Sequence, residues 1–220
     1  MQKNLVTFFV ISFSSILFGN EAMYDFETSL GYRVEEGTSF RSELATSRIL
    51  ELDLRPHVRL GSWPLALGYY FKMPIADAGS DKIGVKKGFF FRNGIDLQTW
   101  YDSPVLPFIP YASFGYTFYG YTEISARSTV KGQKGDDSFE LPAGNIEMSY
   151  TMKGTALDLG GRIRMNSGSQ LYFGISYTNE KRQLASFTFN RTDQKSLLED
   201  AINNSKSFSR KVLVGMHWDF

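Results

Sequence analysis

Two histidines, His57 and His217, are the only imidazoles available for proton transfer near neutral pH. His57 stands at steps of two from Arg55 and Arg59, with Glu51 and Asp53 close by. No serine lies two residues from either histidine, so neither is spaced for a nucleophile on the same strand face. With no cysteine in the chain, thiol catalysis, thiolate-held zinc and disulfides are excluded. Phosphate-binding glycine loops, HExxH and EF-hand spacings are also missing. Asp136-Asp137 and Gly132–Asp137 read as a solvated, flexible loop tip, and the Asn190-Arg191-Thr192 sequon as coincidence. No catalytic residue, cofactor or metal is therefore expected. The chemistry that remains is ionic: an ion network of Glu51, Asp53, Arg55, His57, Arg59, Arg92, Asp96, Asp158, Arg162 and Arg164.

Those charges must be positioned by strands, because they alternate with apolar residues at period two. Tyr24, Phe26, Thr28, Leu30, Tyr32 and Val34 oppose Asp25, Glu27, Ser29, Gly31, Arg33 and Glu35. Leu50, Leu52 and Leu54 oppose Glu51, Asp53 and Arg55, and the pattern runs on to Leu60. Six more such runs lie near 65–72, 89–98, 108–118, 157–165, 171–177 and 211–220, making eight. Short turns join them at 61–64, 102–107 and 166–169, whereas 36–47, 74–88, 122–147 and 178–208 read as long polar loops. Phe187 and Phe189 hint that the last two strands continue past this boundary, and Ser196 to Asn203 fits a short amphipathic helix.

The chain has 220 residues, 24 Lys plus Arg against 23 Asp plus Glu, and 15% aromatic residues. Balanced charge argues against nucleic-acid binding. Lys3 precedes a short apolar run from Leu5 to Phe18, too short for a spanning helix. Residues 1–22 read as a secretory signal peptide and 23–220 as one β domain.

Three features orient the sheet with its charges inward. The charged face carries a glycine in seven of the eight runs, as at Gly31, Gly68 and Gly174, which makes room in a narrow interior. Eight acids on that face, including Glu27, Glu35 and Asp219, meet eight bases, including Arg33, Lys72 and Lys211. An enclosed interior must balance its ions in this way. The last strand ends Val214, Met216, Trp218, Phe220 at steps of two. Aromatics also gather at both strand ends, Tyr24, Trp63, Tyr101 and Trp218 at one and Tyr32, Phe71 and Tyr177 at the other, as two interfacial girdles.

The terminal Val214-to-Phe220 pattern resembles the signature that outer-membrane barrels present to their assembly machinery. Ile109-Pro110-Tyr111 through Gly115 is similar to a motif common in small barrels of the OmpA, OmpX and OmpW type. The resemblance implies an all-β, eight-stranded antiparallel up-and-down transmembrane barrel with short periplasmic turns and long extracellular loops. It implies residence in the outer membrane, contact with its lipid, and a role in surface contact or envelope structure through the loops. A monomer with a plugged lumen and an unknown surface ligand is expected. Passage of small molecules past Ile109, Tyr111, Tyr119 and Leu213 is the alternative. A lipid-modifying enzyme using His57 is another, although no Ser-His-acid set of the lipid A deacylases is visible. A soluble periplasmic barrel binding an apolar ligand is the last.

Overall fold

The computed structural model describes residues 24–37, 40–42, 47–77, 85–126, 130–134, 137–141, 146–165, 169–189, 199, 203 and 205–220. The expected signal peptide, residues 190–192 and most of the 196–203 segment lie outside them.

Eleven strands are present among the described residues: β1 (Tyr24–Gly37), β2 (Phe40–Ser42), β3 (Ser47–Arg59), β4 (Leu65–Asp77), β5 (Val85–Trp100), β6 (Ile109–Ala126), β7 (Val130–Lys134), β8 (Asp137–Leu141), β9 (Ile146–Arg164), β10 (Ser169–Phe189) and β11 (Lys206–Asp219). Eight of them close into an antiparallel barrel in the order β1-β11-β10-β9-β6-β5-β4-β3. The closing seam runs from Asp25 opposite Asp219 to Gly37 opposite Ser207. Beyond it the Phe220 N–H donates to the Tyr24 carbonyl at 2.8 Å. Closure leaves no sheet edge unpaired, which a strand structure in hydrocarbon requires. A separate small sheet has the order β2-β7-β8.

Alternation resolves as expected into an outer and an inner face. Leu30, Leu52, Phe91, Ile95, Phe173, Ile175 and Val212 point outward, and Val212 keeps 66% of its surface exposed. Arg55, Asp96 and their neighbours on the other face are buried. A continuous apolar outer wall around a charged interior inverts the arrangement of a water-soluble barrel, and it is stable only against lipid. The tight turn after β3 uses Gly61 at φ 61°, where a side chain would be strained.

The long polar segments are largely strand, which corrects the expected loop boundaries. β9 and β10 reach 19 and 21 residues, well past the hydrocarbon, with a register shift between Leu184 and Ser186. Gly132–Lys134 belongs to β7 rather than to a loop tip, and Asp137 opens β8. A second correction falls in β6. Register shifts opposite Thr117 to Gly120, so Gly120 turns inward and Tyr119 faces outward, 39% exposed. A bulge flips the face of the residues beyond it, which takes Tyr119 out of any lining.

Candidate functional site

The interior of the barrel gathers three tiers of opposed charge. Nearest the short turns, Glu27 accepts from Arg162 at 2.5 Å and from the Gln98 amide at 3.2 Å. His217 places Nδ1 3.1 Å from Glu27 and Nε2 2.9 Å from Asp219. Arg59, at the mouth, donates to Asp25 at 3.0 Å and also pairs with Asp219. Asp25, His217 and Asp219 offer ligand atoms within 4.8 Å of one another, the grouping among the described residues that could hold a metal. The Arg59 guanidinium already spans its two carboxylates.

The middle tier centres on Arg55. It lies 2.5 Å from Asp158, 3.0 Å from Asp53 and 3.9 Å from Asp96. Lys211 bridges Asp53 at 2.5 Å and Glu51 at 3.3 Å, with Lys72 3.9 Å from Asp53. His57 Nε2 sits 3.3 Å from Asp96, whose same oxygen accepts the Ser113 hydroxyl at 2.8 Å. Ser113 therefore serves the acid and not the imidazole, the wrong connection for an activated nucleophile.

Toward the extracellular end, Arg33, Arg92 and Arg182 face Glu35, Glu51 and Glu180. Arg92 donates to Glu180 at 2.8 Å and lies 3.3 Å from both Glu35 and Glu51. Arg33 meets Glu180 at 3.0 Å, and Arg182 meets Glu35 at 2.5 Å. Five guanidinium side chains, on Arg33, Arg55, Arg92, Arg162 and Arg182, are among the largest fully buried groups. Removing such charges from water costs several kcal/mol apiece unless each finds partners. The network supplies two or more carboxylates to both Arg55 and Arg92.

Aromatic rings pack between the tiers. Tyr111 and Tyr172 lie 4.9 Å apart, with Leu213 and Trp100 against them. Arg162 sits 5.4 Å over Tyr111, Lys72 4.5 Å over Tyr70 and Arg92 4.2 Å over Phe90. Glycine makes this filling possible: a Cβ on Gly174 would stand 2.5 Å from the Tyr111 hydroxyl and 2.7 Å from the Leu159 carbonyl.

Of the ten residues expected in the network, Glu51, Asp53, Arg55, His57, Arg92, Asp96, Asp158 and Arg162 are buried together inside, and Arg59 lines the mouth. Arg164 is a correction. Its side chain is 59% exposed and pairs with Asp102 in the turn, because β9 ends there and the alternation outlasts the barrel wall. Glu180 and Arg182 belong to the upper tier, although the sequence reading places them in a loop. The terminal Val214, Met216, Trp218 and Phe220 all face outward, with Trp218 stacked on Phe26 at 6.0 Å between centroids.

No protein-family profile matches the chain. No curated protein matches its sequence. Solved structures match by shape. A major outer membrane protein from Thermus thermophilus superposes with a TM-score of 0.50 at 12% identity, over 91% of this chain and all of that one (100%). Neisserial surface protein A gives 0.49 at 11% identity, over 90% and 97%. The Escherichia coli outer membrane protease OmpT gives 0.47 at 8%, over 92% and 98%. At such identities the likeness is one of fold. With its lipid-facing wall and ion-filled interior, the chain is a small eight-stranded β-barrel of the outer-membrane type.

Proposed function

We propose that this protein is a non-conducting outer-membrane barrel that acts at the cell surface, in envelope structure or contact, through the segments joining its strands on the extracellular side. The carrying observation is the stack of buried ion pairs from Arg59 near one mouth to Arg182 near the other. A channel needs a continuous water path, and interlocked guanidinium and carboxylate groups leave the axis occupied by side chains. The ionic lattice then makes the barrel a rigid platform, not a conduit. Passage of small molecules loses support because Tyr119 stands outside and Tyr111, Tyr172 and Leu213 pack on one another. A hydrolytic role for His57 loses support because the ring is buried mid-barrel without a serine partner. The outward row Val214, Met216, Trp218 and Phe220 is read as the contact for the assembly machinery.

Planar-bilayer recording tests the reading: the purified barrel gives no steady openings, and a stable unitary conductance overturns it. Deleting residues 125–145 should leave a folded barrel, seen as a heat-dependent gel shift, while abolishing surface contact. Contact that survives the deletion removes that segment from the proposal.

A further inference from the structure

Three lysines share one rung of the outer wall. Lys181 of β10 is the register partner of Lys153 of β9 on one side and of Lys206 of β11 on the other. All three side chains are exposed. Like charges on directly opposed residues weaken a sheet. An anion lying across the rung would relieve that repulsion.

Its height says which anion. On β10, Tyr177 lies four residues nearer the short turns than Lys181, and its ring stacks on Phe208 at 6.1 Å between centroids. These rings form part of the upper aromatic girdle, where hydrocarbon gives way to headgroups. Four residues of a tilted strand rise roughly 10 Å. That sets the ammonium groups in the headgroup layer of the outer leaflet, within reach of lipid phosphates on flexible stems.

Two hollows on the same wall fit the rest of such a molecule. A cavity of about 150 Å³ between β9 and β10 is lined by Lys153, Lys181, Thr151 and Gln183 among others. Below it, a groove of about 280 Å³ runs between Tyr32, Ile175, Tyr177 and Val212, with Arg210 at its side. The groove is apolar and lies at the level of acyl chains. The rung spans three strands, roughly 10 Å, which is wider than one phosphate.

We propose that the β9–β10–β11 face is a binding site for an outer-leaflet lipid bearing two phosphates. Lys153, Lys181 and Lys206 hold the phosphates, and an acyl chain lies in the groove beside Arg210. The proposal rests on the membrane reading of the fold and adds a specific lipid partner to it.

The full chain is refolded into phosphatidylcholine nanodiscs doped with diphosphorylated lipid A or with phosphatidylglycerol, and retained lipid is titrated by native mass spectrometry. Wild type should retain lipid A in preference to phosphatidylglycerol. K153Q/K181Q/K206Q should weaken lipid A retention about 100-fold, since each membrane-facing cation contributes roughly fivefold. K181Q alone should cost roughly fivefold. Arg164→Gln, at the opposite rim, should change nothing. Unchanged retention in the triple variant, equal loss in the Arg164 variant, or equal retention of the single-phosphate lipid overturns the site. So does competition by millimolar inorganic phosphate as complete as removing the lysines. Failure of the wild type to enter nanodiscs overturns the membrane reading instead.

Discussion

Arg33 and Glu180 meet at 3.0 Å although 147 residues separate them. One is on the first strand of the barrel and the other on the tenth of the chain, with β11 between them. Their contact crosses the interior rather than following the wall, so the ion network braces the barrel from within. Removing one member strands its partners in a medium that cannot hydrate them. Glu180→Gln leaves Arg33 and Arg92 short of charge and should cost about 3–5 kcal/mol. The urea midpoint in lipid vesicles measures this, and an unchanged midpoint refutes the bracing role.

Arg162 and Arg164 differ by two positions and should differ sharply in effect. Arg162 is buried against Glu27 and Gln98, whereas Arg164 is exposed beside Asp102. Arg162→Gln should lower stability by several kcal/mol, and Arg164→Gln by about 1 kcal/mol or less. Paired denaturation curves check the ranking; equal losses would place both residues in one environment.

Leu30 sits mid-wall, opposite Leu52 on one side and Val214 on the other, facing lipid. Leu30→Arg should destabilise the barrel by about 2–4 kcal/mol, the penalty for a cation near the bilayer midplane. Leu30→Ile should cost little. The comparison reads the position of hydrocarbon, and a harmless arginine would move the membrane off this rung.

Two glycines predict opposite sensitivities. Gly174→Ala puts a methyl group against the Tyr111 hydroxyl and a backbone carbonyl, and should cost about 1–3 kcal/mol by overpacking. Gly61 has open space around it but a φ of 61°. There alanine should cost roughly 1 kcal/mol, and asparagine, which tolerates that conformation, less. Thermal midpoints of the three variants decide between crowding and backbone strain.

How far the sequence could be read depended on what each face touched. Between the two girdles one face meets hydrocarbon and the other meets ions, so Leu52 and Asp53 differ in kind and the alternation is plain. Above the upper girdle both faces are polar. On β10, Asn179, Lys181 and Gln183 point outward beside inward Glu180 and Arg182. Period two persists there in geometry but vanishes in hydropathy, which is why half of the upper tier lay in an expected loop. Arg164 failed the other way, since alternation continues one step beyond the wall. The Tyr119 bulge left no mark, because a register shift opposite Thr117 to Gly120 depends on the partner strand rather than on composition.

The seam between β1 and β11 has a consequence for biogenesis. Asp25, Glu27 and Arg33 find their companions Asp219, His217 and Glu180 only when the final two strands have arrived. A nascent sheet short of those strands holds acids and bases on an open ribbon, each still wrapped in solvent. The zip that joins last to first must strip that solvent and cross-link the ions in a single concerted event. Insertion of this barrel should thus be all-or-nothing, slow to commence and hard to reverse, with no half-closed form lingering in the bilayer.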